Sequence, residues 1–504
     1  MKILFVYPLY PETFWSFKHA LRFLGKKAAF PPLGLLTVAA MLPERWEKKL
    51  VDLNVSGLDD RQIDWADMVF VSAMLVQAPS AREVIQRCKA RGKTVVAGGP
   101  AFTARHEQFE GVDHFVLNEA EVTLPQFLDD LEHGRPQPVY TTDEHPDLSE
   151  TPIPLWSLIR LKDYAVVPVQ YSRGCPFNCE FCDIIVMYGR KPRTKTPEQL
   201  IREIQALYDA GWRSGVFIVD DNFIGNKRNV KQMLPHLIRW QREHNVPFNL
   251  LTEASADLAD DEQLMRMMAQ ANFRKVFLGI ETPDPDGLRE CGKHQNASRD
   301  MTEVVATIHR HGMQVMGGFI VGFDTDNESI FQRQINFIQN TGIVTAMVGM
   351  LNALPHTALW HRLNAEGRLR GDTTGENTEA RLNFLPRMPE QALLDGYKRI
   401  LTTIYSPRQY YQRIYTLLRS CNPEHGEPTT PEGWLAFVRS MWEIGVRSKA
   451  RLLYWKLLVK TLLTRRKAFP LAVELAIYGL HFERVTARIV GGVLPGSDDQ
   501  PLPA

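Results

Sequence analysis

Two series of short, continuously apolar runs, separated by stretches of helical length, constrain the fold of this 504-residue chain most strongly. The first series comprises residues 2–7, 49–53, 68–73, 94–98 and 114–117, with helical candidates such as 32–42 and 81–91 between them. Apolar runs without polar alternation suit strands of a parallel sheet covered on both faces. The alternation predicts an α/β fold whose first part, residues 1–128, is a doubly wound, Rossmann-like sheet. The second series comprises 166–171, 214–219, 248–252, 275–280, 314–321 and 345–350, with helical segments such as 197–209, 261–271 and 301–311. It predicts a partial (β/α)6 barrel over residues 166–375, its site at the carboxyl ends of the strands. Residues 129–165 begin with a shift to Asp, Glu, His, Pro and Thr and read as a linker. Beyond the barrel the β signal vanishes. Residues 376–490 predict a helical domain, and 491–504, rich in Gly and Pro, a flexible tail.

A formal net charge of +1 gives no global field toward nucleic acid, and no such partner is expected. The first residues turn polar too soon for a secretory leader, and no apolar run approaches the roughly 18 residues of a spanning helix. A cytoplasmic protein is expected. Six cysteines are too few for a disulfide scaffold in a chain of this length. Three of them fall close together, and Cys88, Cys291 and Cys421 stand alone as expected passive thiols.

The cluster is Cys175, Cys179 and Cys182, in a segment that directly follows the first strand of the second series. Soft thiolates select zinc or an iron–sulfur cluster. Structural zinc wants four closed ligands, and no fourth Cys or obvious His lies nearby. A cubane held by three cysteines keeps one iron open for another ligand. Gly174 and Pro176 permit the tight loop such a group needs. The C-x3-C-x2-C spacing with Phe181 before its last cysteine resembles the radical S-adenosylmethionine (SAM) family. That resemblance covers residues 166–354 and implies a [4Fe-4S] cluster on the three cysteines, with SAM on its open iron. Further family motifs fall at successive strand ends: Asp220, Asp221 and Asn222, then Thr252 and Glu253, then Glu281, then Gly317 and Gly318. The resemblance implies that these residues contact SAM.

Residues 1–120 resemble the cobalamin-binding domain that precedes some radical SAM barrels. The match rests on Pro31 to Leu35, on Ser72 after the third strand, on Gly98, Gly99 and Pro100 after the fourth, and on Glu119 after the fifth. A flat corrin ring over the carboxyl ends of the strands needs such small residues. A nucleotide-binding alternative lacks G-x-G-x-x-G after the first strand, where Tyr7-Pro8-Leu9-Tyr10-Pro11 stands. The better-known cobalamin enzymes carry a cobalt-ligating His after that strand. This chain has none there, which implies cobalt without a protein nitrogen below it.

The order of cobalamin domain, barrel and helical tail resembles the subgroup that includes the hopanoid C-2 methylases. It implies a methyltransferase acting on an unactivated carbon through a 5′-deoxyadenosyl radical and methylcobalamin. A small-molecule or lipid substrate and a reductase, flavodoxin or ferredoxin as electron donor are expected. The rivals are a radical cyclisation or rearrangement, and a sensor without turnover. Residues 451–467 interleave leucines with Lys456, Lys460, Arg465, Arg466 and Lys467. They read either as a packing helix with a solvated face or as an interfacial helix, the latter implying peripheral contact with the inner membrane surface.

Overall fold

The computed structural model describes residues 1–421 and 430–491. The flexible-tail expectation, apart from Gly491, lies outside them. The front sheet holds β1 (Lys2–Tyr7), β2 (Glu47–Asp52), β3 (Met68–Ser72), β4 (Thr94–Gly98), β5 (His114–Val116) and β6 (Val139–Tyr140). They are ordered β2-β1-β3-β4-β5-β6, and every pair is parallel. Both faces are buried: Leu4 and Val6 pack on one side, Ile3 and Phe5 on the other. The strand order reverses beside β1, the usual place for a ligand crevice in such sheets.

β6 lies inside the stretch read as a linker. Its two residues are too few to carry an apolar pattern, yet Phe115 donates to Pro138 O and Leu117 to Tyr140 O. Farther along that stretch Leu148 and Trp156 are buried as well.

The second sheet holds β7 (Val166–Val169), β10 (Gly215–Ile218), β11 (Asn249–Ala254), β12 (Phe273–Glu281), β13 (Gln314–Val321) and β14 (Ala346–Met350). Between β7 and β10 lies an antiparallel pair, β8 (Ser172–Arg173) and β9 (Arg193–Thr194). The six barrel strands run parallel in the order β14-β13-β12-β11-β10-β7. Alternate residues such as Val216, Ile218, Val276, Leu278 and Val315 are fully buried, as a barrel coated by helices demands. The helices start where capping chemistry dictates. Thr196 accepts from Gln199 N at the head of Pro197–Asp209, and Asp300 accepts from Thr302 N at the head of Met301–Arg310. Among the described residues five longer helices follow the barrel: Glu390–Ile404, Pro407–Ser420, Pro431–Glu443, Arg451–Thr464 and Phe469–Gly491. The last holds the front segment against the barrel. Phe482 stacks on Phe14 at 4.5 Å, and Lys275 pairs with Glu474. From the front domain, Trp15 meets Phe277 and Phe30 meets Phe217, two ring contacts with the barrel strands.

Candidate functional site

Cys175, Cys179 and Cys182 lie on the loop between β8 and β9, all three half-buried. Gly174 opens it with φ +90°. A Cβ there would sit 3.0–3.1 Å from the carbonyl oxygens of Gly189, Lys191 and Tyr188, so only glycine fits. Two carboxylates at the end of β10 pin the loop. Asp220 accepts from Tyr171 N and Ser172 Oγ, each at 2.7 Å, and Asp221 accepts from Gly174 N at 2.8 Å. On the other side Glu180 N donates to Cys291 O at 3.0 Å. Asn222 Nδ2 lies 4.0 Å from Cys175 Sγ and donates to Ser255 Oγ at 3.1 Å. Burial pushes all three thiols up, so a bound cation is what would stabilise their thiolates. Among the described residues no three His, Cys, Asp or Glu side chains converge as ligands of one ion. Three thiols on one loop suit an iron–sulfur cluster that takes three thiolates and keeps one iron open.

The barrel interior is acidic. Burial, followed by the neighbouring Asp220 charge, pushes Asp221 up to about 7. Glu253 is pushed up to about 8, by burial first and then by Asp221 and Asp220. Glu281 holds φ +65° at a register shift in β12, a strained conformation for a residue with a side chain. Two buried amides support that bulge: Asn296 Nδ2 donates to Gly279 O at 2.9 Å, and Gln334 Nε2 to Glu281 O at 3.3 Å. The Glu281 carboxylate pairs with Lys293, whose ammonium is held up by that charge against the cost of burial. Carboxylates this starved of positive charge suit a ligand carrying both a sulfonium and an ammonium, as SAM does.

Not every residue expected to contact SAM is free to do so. Asp220 is fully occupied by the cysteine loop and is 1% exposed. Burial pushes its carboxyl up to about 6. Thr252 Oγ1 donates to Ile218 O at 2.9 Å and is fully buried. A Cβ on Gly317 would lie 2.7 Å from the Phe319 ring, and one on Gly318 would lie 2.8 Å from Phe277. These glycines make room for the barrel's own rings. Lys293, Asn296 and Ser255 lie at the same end of the barrel and carry no signal in the sequence, because Lys293 and Asn296 sit at and within the single helical turn His294–Ala297 and Ser255 just follows a strand.

The front domain turns its strand ends toward the same place. Gly99 adopts φ +93°, and a Cβ there would collide with Ser72 Oγ. One on Gly98 would lie 2.5 Å from Val116 O, and Pro100 then opens the helix Pro100–Arg105. Both glycines are thus held close against the front sheet's own atoms at the carboxyl ends of its strands. Glu119 has a different task. Its carboxylate takes Arg173 at 2.8 Å, Arg193 at 2.7 Å and His145 at 2.9 Å, and its side chain is 1% exposed. Arg173 also pairs with Glu121 at 2.7 Å. The expected cobalamin contact is thus a clamp between the front sheet and the cysteine loop. Farther along, Arg105 pairs with Asp372 at 3.2 Å, and a Cβ on Gly375 would sit 2.7 Å from Leu75 Cβ. The carboxyl ends of the two sheets face each other.

With that geometry in place, the comparisons with known proteins agree. Three family models match in succession: a B12 binding domain over residues 27–128, the Radical SAM superfamily over 169–338, and a domain of unknown function over 357–493. The chain belongs to the cobalamin-binding radical SAM enzymes, in the subgroup with a helical C-terminal domain that includes the hopanoid C-2 methylases. It is similar to an uncharacterized methyltransferase of Synechocystis sp., 43% identical over 96% of this chain and 91% of that one. It is also similar to the hopanoid C-2 methylase of Rhodopseudomonas palustris, 34% identical over 92% and 89%. The fold matches TsrM from Kitasatospora setae, a radical SAM methyltransferase solved with cobalamin and a [4Fe-4S] cluster. The TM-score is 0.60 at 14% identity, over 95% of this chain and 99% of that one. The protein is an enzyme of the radical SAM methyltransferase class, with the [4Fe-4S] cluster, SAM and cobalamin as cofactors.

Proposed function

We propose that this enzyme methylates an unactivated carbon of a hopanoid-like, apolar lipid. The observation that carries the reading is the likeness to a hopanoid C-2 methylase across 92% of the chain. That span includes the helical domain as well as the parts facing cofactors. In this reading Cys175, Cys179 and Cys182 hold the cluster, and Asn222 lies against the first of them. Asp221, Glu253 and Glu281 would surround SAM with carboxylates, and Lys293 pairs with Glu281. Ser72, Gly98, Gly99 and Pro100 form the floor for cobalamin. Bound together, the three groups supply hydrogen abstraction and methyl transfer. Asp220 and Asp221 fix the loop that carries the cysteines, and the Glu119 clamp holds the cobalamin edge against it. A reductase, flavodoxin or ferredoxin completes the electron supply.

The full chain, reconstituted anaerobically with cluster, cobalamin, SAM and a reductant, is incubated with a pentacyclic triterpenoid and followed by mass spectrometry. The expected product is heavier by one CH2 and appears together with 5′-deoxyadenosine. A product of unchanged mass would mean cyclisation or rearrangement, and no 5′-deoxyadenosine at all would mean binding without turnover. Either result overturns the reading.

A further inference from the structure

The helical domain carries an apolar surface that nothing in the described chain covers. Among the described residues seventeen large apolar side chains are exposed, and ten of them fall between Trp434 and Leu463. They form two stripes at helical spacing. On Pro431–Glu443 the stripe is Trp434, Val438 and Trp442, exposed by 54–60%. On Arg451–Thr464 it includes Leu452, Val459 and Leu463, and the first and last are 78% and 74% exposed. The opposite face of the second helix, with Tyr454, Leu457, Leu458 and Thr461, is buried. That helix is therefore apolar on both sides and packs with only one. Ser440 and Tyr454 join the two helices through their hydroxyls at 2.7 Å, and Trp455 Nε1 donates to Gly445 O at 2.9 Å.

Scattered exposed leucines are ordinary on a soluble surface, but a patch of this size with three tryptophans marks a contact site. Its charge selects the partner. From residue 444 to 473 the chain carries eight lysines and arginines and no aspartate or glutamate. Lys456, Arg466 and Lys467 are exposed and form no ion pair among the described residues. Among the described residues no helix is long and apolar enough to cross a membrane. Apolar side chains flanked by unpaired cations, with tryptophans among them, fit the boundary between acyl chains and anionic head groups.

We infer that the helices Pro431–Glu443 and Arg451–Thr464 form a docking surface for an anionic lipid bilayer, lying flat in its interface. The inference stands on this surface and goes beyond the substrate reading. Its test involves no turnover, so either can fail alone.

The reconstituted full chain is floated with vesicles of phosphatidylcholine and with vesicles of equal parts phosphatidylglycerol and phosphatidylcholine. Binding to the anionic vesicles is expected at low salt, weakened at least about tenfold at roughly 0.5 M salt. Leu452→Glu/Leu463→Glu and Lys456→Glu/Arg466→Glu each lower vesicle affinity by about tenfold or more. Both pairs are on the surface, so circular dichroism and iron content remain those of the parent. Absence of the protein from anionic vesicles at low salt would overturn the inference, as would binding that ignores both pairs. A dimer in sedimentation velocity that Leu452→Glu/Leu463→Glu dissolves would also overturn it, since the surface would then pair two copies of this chain.

Discussion

Asp220 and Asp221 are neighbours in the turn that follows β10, and their side chains go to different places. Asp220 is buried against the cysteine loop, whereas Asp221 shares the barrel interior with Glu253 and Glu281. The sequence makes the pair visible, because two carboxylates end an apolar run. It does not reveal which is committed to backbone N–H groups. Glu253 gives the sharpest consequence. Its carboxyl stands near 8 against an ordinary 4.5, so the folded, cofactor-free chain binds a proton there that the unfolded chain has already released. Stability conferred by protonated Glu253 is full below about 4.5, declines as pH rises toward 8, and is flat above. Glu253→Gln mimics the protonated form at every pH. In denaturant melts of cofactor-free protein, the variant is expected to gain on the parent across that window, by more than about 1 kcal/mol at pH 8.5. A constant difference from pH 5 to 8.5 would show that Glu253 is solvated. Saturating SAM is expected to reduce the slope, since a cation beside the carboxylate lowers its pKa.

The clamp between the front sheet and the cysteine hairpin depends on two elements meeting. Glu119 heads the helix Ala120–Glu132, and Arg173 and Arg193 sit on β8 and β9. Removing one partner of a buried charge network typically costs about 3–5 kcal/mol, because the remaining charges lose their compensation. Glu119→Ala is therefore expected to lower the melting temperature and to raise hydrogen exchange in residues 172–194. Exchange in the distant helix Phe469–Gly491 should be unchanged. Unaltered exchange in the hairpin would show that the clamp does not hold the loop. Such elements differ in how legible they are. The barrel strands stand out because each is a continuous apolar run, and the cysteine loop because its spacing is specific. β6 is two residues long, and Glu119 looks like any acid after a strand. Its arginine partners lie 54 and 74 positions away, and no local pattern signals a pairing made by docked domains. The glycine motif in β13 misleads for a related reason. Small residues mark close approach, and here the approaching groups are Phe319 and Phe277.

Across the whole molecule, two parallel sheets point their carboxyl ends at one another. Cobalamin would be held from the front side and the cluster with SAM from the barrel side, while the helical domain closes the assembly around Phe14 and Phe482. The order of the three parts is legible in the sequence, because the apolar runs change to helical periodicity at the right places. Their mutual orientation is not, since it rests on contacts such as Arg105 with Asp372 and Gly375 against Leu75. Metal analysis of the anaerobically reconstituted chain tests this arrangement most directly. About four irons and one cobalt per chain are expected. Replacing Cys175, Cys179 and Cys182 by alanine should remove the iron and keep the cobalt, and Gly98→Val/Gly99→Val should remove the cobalt and keep the iron. Iron retained without the three cysteines, or cobalt retained with the glycine edge blocked, would contradict the account.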